Sequence, residues 1–407
     1  MHGHIACLMA LLLASITIFG FAAVSMAEPV AEDIASSCTF HASSNDKLFR
    51  LTDGKLKSSY EGKAYKQNWI EITAPKNKPI YGLYMIWDDK SSEVSLEIWD
   101  PKLDAFTSYY TVNTGKYLHE YLALNGVEAV RFSSTDNEGT IPLTELSVFS
   151  EGTLPDWVQV WEPSCTDADL LVLVTHPDDE LLFFGGTLPW YSIEKNLHVA
   201  VAYMTCRNAT RYHEMLNGLW TCGVHEYPYL IGLVDKTATV KMSTTYKQWG
   251  GVDIALDAVA NMLNQCNPSV ICTQDLGGEY GHGAHMALAD VCLRIICNDE
   301  RILEHKPQKL YLHLYEENPI HLDWEIPMSS CSGKTSLQIA AQAFQCHESQ
   351  LGLSAKMKNG KKYRFEVVAG GPLDNGRFGL AYSSVGNDVE CNDFMEHVQV
   401  KTHEEKR

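Results

Sequence analysis

The chain has 407 residues, which at ~150 residues per domain points to two or three domains. A composition of 45% hydrophobic and 20% charged residues excludes wholesale disorder. Lysine plus arginine total 32 against 51 aspartate plus glutamate, a formal charge of −19, so nucleic-acid backbones and anionic lipid surfaces are excluded as expected partners.

The first 27 residues contain no Lys, Arg, Asp or Glu, and an apolar run from Ile5 to Val24 ends in Ser25-Met26-Ala27. This reads as a signal peptide over residues 1–27, cleaved after Ala27, and predicts a secreted or extracytoplasmic protein. If the segment were retained, it would anchor the chain to a membrane. No later segment is apolar enough to span one. Of twelve cysteines, eleven follow the signal; export predicts that several are paired and, from the odd count, that at least one is not. Their spacings offer no repeated C-x-x-C, so a cysteine-built zinc site is not expected.

After a short acidic lead-in, residues 38–151 alternate with a period of two in short runs: Trp69 to Ile72, Ile80 to Trp87, Val94 to Trp99, Ala129 to Phe132 and Leu143 to Phe149. Turn residues separate them, which predicts an all-β sandwich. Leu51-Thr52-Asp53-Gly54-Lys55, the Trp69 strand and Leu143-Thr144-Glu145-Leu146-Ser147-Val148-Phe149 resemble discoidin-like (factor 5/8 C-type) jelly-roll modules. That resemblance implies a glycan-binding domain, with a purely structural domain as the alternative. Trp69, Trp87 and Trp99 sit at alternating strand positions, which reads as core, with a sugar-stacking platform as the other possibility.

Residues 152–168 read as a linker. Residues 169–407 change character: continuous apolar runs at Leu170 to Val174, His198 to Met204, Val270 to Cys272 and Leu310 to Leu314 alternate with helical stretches at Arg211 to Cys222, Ile254 to Gln265 and Ala284 to Cys297. This predicts an α/β domain built on a parallel sheet. A further helix, Leu337 to His347, and Gly- and Asn-rich loops complete the tail. In those loops Asp374, Asn375, Arg377, Asp388 and Asn392 read either as a lid or sugar-binding loops or as a solvated Gly-rich connection.

Chemistry concentrates at two strand ends. The first strand runs into Thr175-His176-Pro177-Asp178-Asp179-Glu180, where Pro177 forces a turn and the carboxyl ends of strands form the usual ligand crevice. About a hundred residues later comes Gly278-Glu279-Tyr280-Gly281-His282-Gly283-Ala284-His285, with two histidines on one helical face. Histidines and carboxylates without cysteine match a catalytic zinc site of mixed N/O ligation that leaves a position open for water. Cys206, at the end of the second strand, is a candidate soft ligand or a partner for Cys222. Asn208-Ala209-Thr210 is a glycosylation sequon expected to be unmodified, because a glycan there would crowd the crevice.

Val174 to Glu180, Arg211-Tyr212-His213-Glu214 and Tyr280 to His285 together resemble the PIG-L/LmbE family of zinc-dependent N-acetylglucosamine deacetylases, over about Asp169 to Leu314 and with tail fragments near His347. The resemblance implies a Rossmann-like fold and removal of acetyl groups from amino-sugar glycans or glycoconjugates. It implies Zn²⁺, or another divalent transition metal, on His176, Asp179 and His285. Asp178 would be the general base, His282 would hold the proton for the leaving amine, and Tyr280 would donate to the carbonyl oxygen. Arg211 would bind a substrate oxygen and Glu214 would brace its helix. One position departs from the family string His-Pro-Asp-His: its acidic slot is Ala284. The loss is expected to lower the pKa of His282 unless Glu279 or Asp275 substitutes. Ala284 also favours the competing expectation, a non-catalytic glycan-binding protein that merely holds metal.

Overall fold

The computed structural model describes residues 29–44, 47–60, 68–88, 93–135, 140–236, 238–357, 360–368, 370–371, 373–386 and 392–401. The signal-peptide expectation, Cys7, Asp388 and Cys391 lie outside these residues. Among the described residues no helix is long and apolar enough to cross a membrane.

The amino-terminal half is an all-β sandwich of eight antiparallel strands: β1 (Thr39–Ala42), β2 (Trp69–Thr73), β3 (Ile80–Trp87), β4 (Val94–Asp100), β5 (Ala105–Val112), β6 (His119–Val127), β7 (Ala129–Ser134) and β8 (Leu143–Phe149). One sheet has the order β1-β2-β7-β4-β5 and the other β6-β3-β8. The period of two sends Ile70, Ile72, Val130 and Phe132 from the first sheet against Leu83, Met85, Leu146 and Val148 of the second, as two apolar faces require. Trp87 is in this core and donates its Nε1–H to Glu120 at 3.0 Å. Trp69 and Trp99 are half-buried; the Arg131 guanidinium lies over the Trp69 ring, and Phe106 meets Trp99 edge-on. The lead-in is part of the domain, because Ile34 enters the core and donates its N–H to Val148.

Residues 152–168 do not behave as a free tether. Val158 and Trp161 are buried, and Trp161 meets Trp220 and Tyr227 edge-on. Thirteen elements follow that position the site: β9 (Leu170–Val174), α1 (Asp179–Leu182), α2 (Thr187–Pro189), β10 (Val199–Tyr203), α3 (Ala209–Thr221), β11 (Tyr229–Leu230), α4 (Met242–Gln248), α5 (Val252–Cys266), β12 (Val270–Thr273), α6 (Gly283–Ile296), β13 (Lys309–His313), β14 (Pro319–His321) and α7 (Ser336–Phe344). They are completed by the β15 (Ser354–Lys356) and β16 (Lys362–Arg364) hairpin and by β17 (Arg377–Ser383).

The sheet order is β11-β10-β9-β12-β13-β17-β14. β11 through β13 are parallel, but β17 pairs antiparallel with β13 and with β14. The wholly parallel sheet expected from sequence is therefore corrected to a mixed one, because β17 arrives through tail loops rather than through a helical crossover. Leu170, Val172 and Val174 face one core, while Leu171 and Leu173 face another. Burial on both faces explains why these strands read as unbroken apolar runs. At Gly186 an added Cβ would lie 2.2 Å from the Trp324 ring, so only glycine lets that turn close against the tail.

The expected disulfides are absent among the described residues: all ten described cysteines are free thiols, Cys206 and Cys222 included. Five of them (Cys165, Cys222, Cys266, Cys272 and Cys292) are buried, and burial pushes those thiols up, the behaviour of small core hydrophobes.

The two halves share a buried polar seam. His119 Nδ1 lies 2.9 Å from the Tyr84 hydroxyl, and His119 Nε2 lies 3.0 Å from Nδ1 of His213 on α3. Burial lowers the pKa of both rings, that of His213 to about 4. Unfolded, each would protonate near 6.5. Stability is therefore expected to fall as pH drops from 6.5 toward 4, with His213 contributing up to about 2 kcal/mol at pH 5 and His119 acting in the same direction. Thermal unfolding at pH 7 and pH 5 measures this, and His213→Leu should flatten the dependence.

Candidate metal centre

Because β9 and β12 are neighbours in parallel register, their carboxyl ends place residues 175–180 beside residues 274–285. The Thr175 hydroxyl donates to the Gln274 side chain across that junction. The chain leaves β9 toward β10 on one side and reaches β12 on the other, so the crevice opens where the strand order reverses.

Asp179 begins α1 and is 3% exposed. Its Oδ2 accepts the His176 N–H at 2.8 Å and lies 3.2 Å from His176 Nδ1 and 3.3 Å from His285 Nε2. Two donors on one tetrahedral ion with bonds of ~2.0–2.1 Å lie about 3.3 Å apart. The outer nitrogen of each imidazole meets its own carboxylate: His285 Nδ1 is 2.6 Å from Glu279 Oε2, and His176 Nε2 is 3.2 Å from Asp235 Oδ2. Against burial, Asp179 and Glu279 push the His285 pKa up to about 10. In the neutral rings that an ion requires, the outer contacts would fix the tautomers and turn the lone pairs of His285 Nε2 and His176 Nδ1 inward. His285 Nε2 is buried and makes no hydrogen bond. An orphaned buried lone pair beside a carboxylate fits a divalent cation on His176, Asp179 and His285.

The nitrogens of His176, His282 and His285 also come within 4.8 Å of one another, so a three-histidine set is a second geometric possibility. The tautomer of His282 argues against it. His282 caps α6, and its Nδ1 accepts the Ala284 N–H at 3.2 Å, so the neutral ring carries its proton on Nε2. That nitrogen is a donor, not a ligand. Burial, with His285 and His176 adding to it, lowers the pKa of His282 to about 2. The suggested substitutes for the missing acid do not act on it: Glu279 spends its oxygens on His285, His313 and the Asp275 N–H. The slot vacated by an acidic residue is met by the backbone N–H of Ala284 itself.

Asp178 stands beside this cluster at φ 118°, a conformation that costs about 1–3 kcal/mol and persists only where surroundings enforce it. Its N–H donates to Glu180 Oε2 at 2.7 Å, while Glu180 Oε1 is 3.0 Å from His347 Nε2 in the buried interior. Burial raises the Asp178 pKa to about 7, with Arg211 opposing and Asp179 assisting. Asp179 goes the other way: burial would raise it, but His285 and His176 outweigh that and hold it well below the usual range. Two adjacent carboxylates are thus pushed apart in acidity, the pattern of a base beside a permanent anion.

Arg211 Nη2 lies 3.0 Å from Asp178 Oδ1, so its first partner is the proposed base rather than open crevice. Glu214, one turn on, accepts the N–H and hydroxyl of Ser349 at 2.7 and 2.6 Å, which ties α3 to the tail. Tyr280 lines the same space, and burial next to Asp179 and Asp178 keeps its phenol protonated. Asn208 uses its side chain to cap α3 through the Arg211 N–H. The crevice has a volume of about 470 Å³, within the usual ligand-pocket range.

Sequence reasoning missed Asp235, the inner role of Glu279, His313 and His347. Asp235 lies in a loop with no motif around it. Lys57, from the sandwich, also reaches the crevice wall. For the tail residues Asp374 and Asn375 the solvated-connection alternative is corrected. Both are buried; Asp374 accepts from His321 and Gly376, and the Asn375 carbonyl accepts from Trp324. Asn392 accepts the His321 N–H, and Arg377 opens β17.

No family model matches the chain. An uncharacterised protein of Acanthamoeba polyphaga mimivirus is 24% identical over 168 residues, which cover 38% of this chain and 65% of that protein, just under two thirds of its length. Among solved structures, a conserved protein of Thermus thermophilus is 18% identical, with 45% of this chain and 80% of that one covered at a TM-score of 0.33. A fucose binding module of Streptococcus pneumoniae is 20% identical over 30% of this chain and 98% of its own, at a TM-score of 0.26. An F5/8 type C domain from Bacteroides fragilis is 11% identical over 30% and 96%, at 0.25.

Removing an outer carboxylate should loosen the metal without removing a ligand. Asp235→Asn or Glu279→Gln is expected to weaken zinc binding by about 10–100-fold in chelator competition, because the imidazoles lose their orientation.

Proposed function

We propose that the chain is an exported metal-dependent N-deacetylase, acting on N-acetylglucosamine-containing glycans or glycoconjugates, with a discoidin-like sandwich that takes part in glycan binding. The observation that carries the reading is the Asp179 carboxylate held between two imidazole lone pairs, with a second, separately tuned carboxylate, Asp178, beside it.

A divalent ion on His176, Asp179 and His285 would supply Lewis acidity toward an amide carbonyl and acidify water. The remaining work belongs to the chain's own groups. Asp178 takes the proton of the attacking water at its carboxylate, steadied by Arg211. Tyr280 donates its hydroxyl proton as a hydrogen bond to the carbonyl oxygen as negative charge grows there. Asp178 then hands that proton on to the departing nitrogen. Neutral His282 only hydrogen-bonds to this nitrogen through Nε2–H, rather than supplying the stored proton expected of it. Glu180 with His347 holds the strained turn that aims Asp178.

One observation favours a second reading, a glycan binder that holds metal without turnover. Among the described residues no carboxylate hydrogen-bonds His282, and its imidazolium form is disfavoured.

Acetate release from N-acetylglucosamine oligomers by zinc-loaded protein separates the two. Asp178→Asn should lower kcat by about 10²–10⁴-fold while zinc stays bound. Equal rates would remove Asp178 from its role; no release despite bound zinc would favour the binder.

A further inference from the structure

The crevice that would hold the metal does not end at its own domain. Lys57 and Thr210 line it, and they also line two further cavities along the seam between the sandwich and α3. The first is a neck of about 150 Å³, walled by Ser59 and Asp88 of the sandwich and by Asn208 at the start of α3. The second is an outer chamber of about 540 Å³ between the sandwich turn at residues 54–57 and the tail at residues 345–348. The sandwich therefore walls all three adjoining cavities, which share Lys57 and Thr210 and form a groove whose far member holds the Asp178–Asp179 pair.

Resting on the deacetylase reading, we infer that this groove is an extended subsite for a neutral oligosaccharide, with the sandwich turn at residues 54–57 as part of the substrate-binding wall. The lining chemistry selects that class. Lys55 and Lys57 are balanced by Glu214 and Glu348, so the outer chamber has no net charge to attract a polyanion or polycation. Asn217 and Gln345 add amide donors and acceptors, whereas Leu56 and Cys346 are its main apolar side chains. Sugars present apolar ring faces as well as hydroxyls, so a neutral polyhydroxylated chain matches a wall that mixes carbon surface at Leu56 and Cys346 with hydrogen-bonding partners at Asn217 and Gln345. Tyr280 and His282 line the far crevice, so a reacting ring there would have its neighbours in the adjoining cavities.

The test uses the full chain loaded with zinc and N-acetylglucosamine oligomers from one to six sugars. The expected result is a rise in kcat/KM of about tenfold or more between the monosaccharide and the tetrasaccharide, the effect of one or two net hydrogen bonds. Gln345→Trp alters an exposed side chain that lines the outer chamber alone. It should bring the tetrasaccharide-to-monosaccharide ratio back toward one. Acetate release with equal kcat/KM at every length, or a ratio untouched by Gln345→Trp, overturns the groove and leaves the deacetylase reading standing. Acetate release at no length overturns that reading instead. The groove is then decided by calorimetric titration of the zinc-loaded protein: tighter binding of the tetrasaccharide than of the monosaccharide supports it, and equal or absent binding overturns it.

Discussion

The parallel pairing of β9 with β12 is the constraint on which the site depends. It brings together two polar turns about a hundred residues apart, and it does so at the reversal of strand order. Both strands are buried on both faces, so a shift in register would move a run of leucine and valine out of two cores at once. The chemistry is therefore held by strands that are buried on both faces.

Around that junction the polar groups are arranged in layers. Asp179, His176 and His285 face one another; Asp235 and Glu279 stand behind the two imidazoles; His313 and the Asp374 backbone stand behind Glu279. Each outer member removes a freedom from the one inside it, first the tautomer and then the ring orientation. Glu180 and His347 do the same for Asp178, whose backbone would not hold φ 118° unaided. The carboxylate pair thus differs in acidity because its surroundings differ: Asp179 faces two imidazoles, and Asp178 faces burial and one guanidinium.

Much of the inner layer could be read from the sequence because its residues are contiguous. His176, Asp178 and Asp179 share one turn, and Tyr280, His282 and His285 share another, each following an apolar strand. What stands behind them was not legible. Asp235 comes from an unpatterned loop after β11, and Glu279, weighed as a partner for His282, turns instead to His285 because the helix start places that ring nearer. The several disulfides expected of an exported chain are not formed among the described residues, where five of the ten thiols are scattered through apolar cores. The approach of Lys57 depends on how two domains pack, which no local pattern encodes. The sandwich strands, by contrast, announced themselves through alternation, and Trp87 fell in the core as its position suggested.

The central claim is that one divalent ion is shared by two imidazoles and one carboxylate. Anomalous diffraction at the zinc edge from crystals of the zinc-loaded protein tests it most directly. The account predicts a single peak within bonding distance of His176 Nδ1, Asp179 Oδ2 and His285 Nε2, with His282 outside the coordination sphere. A peak ligated by His282 in place of Asp179, or no peak in the crevice, would contradict it.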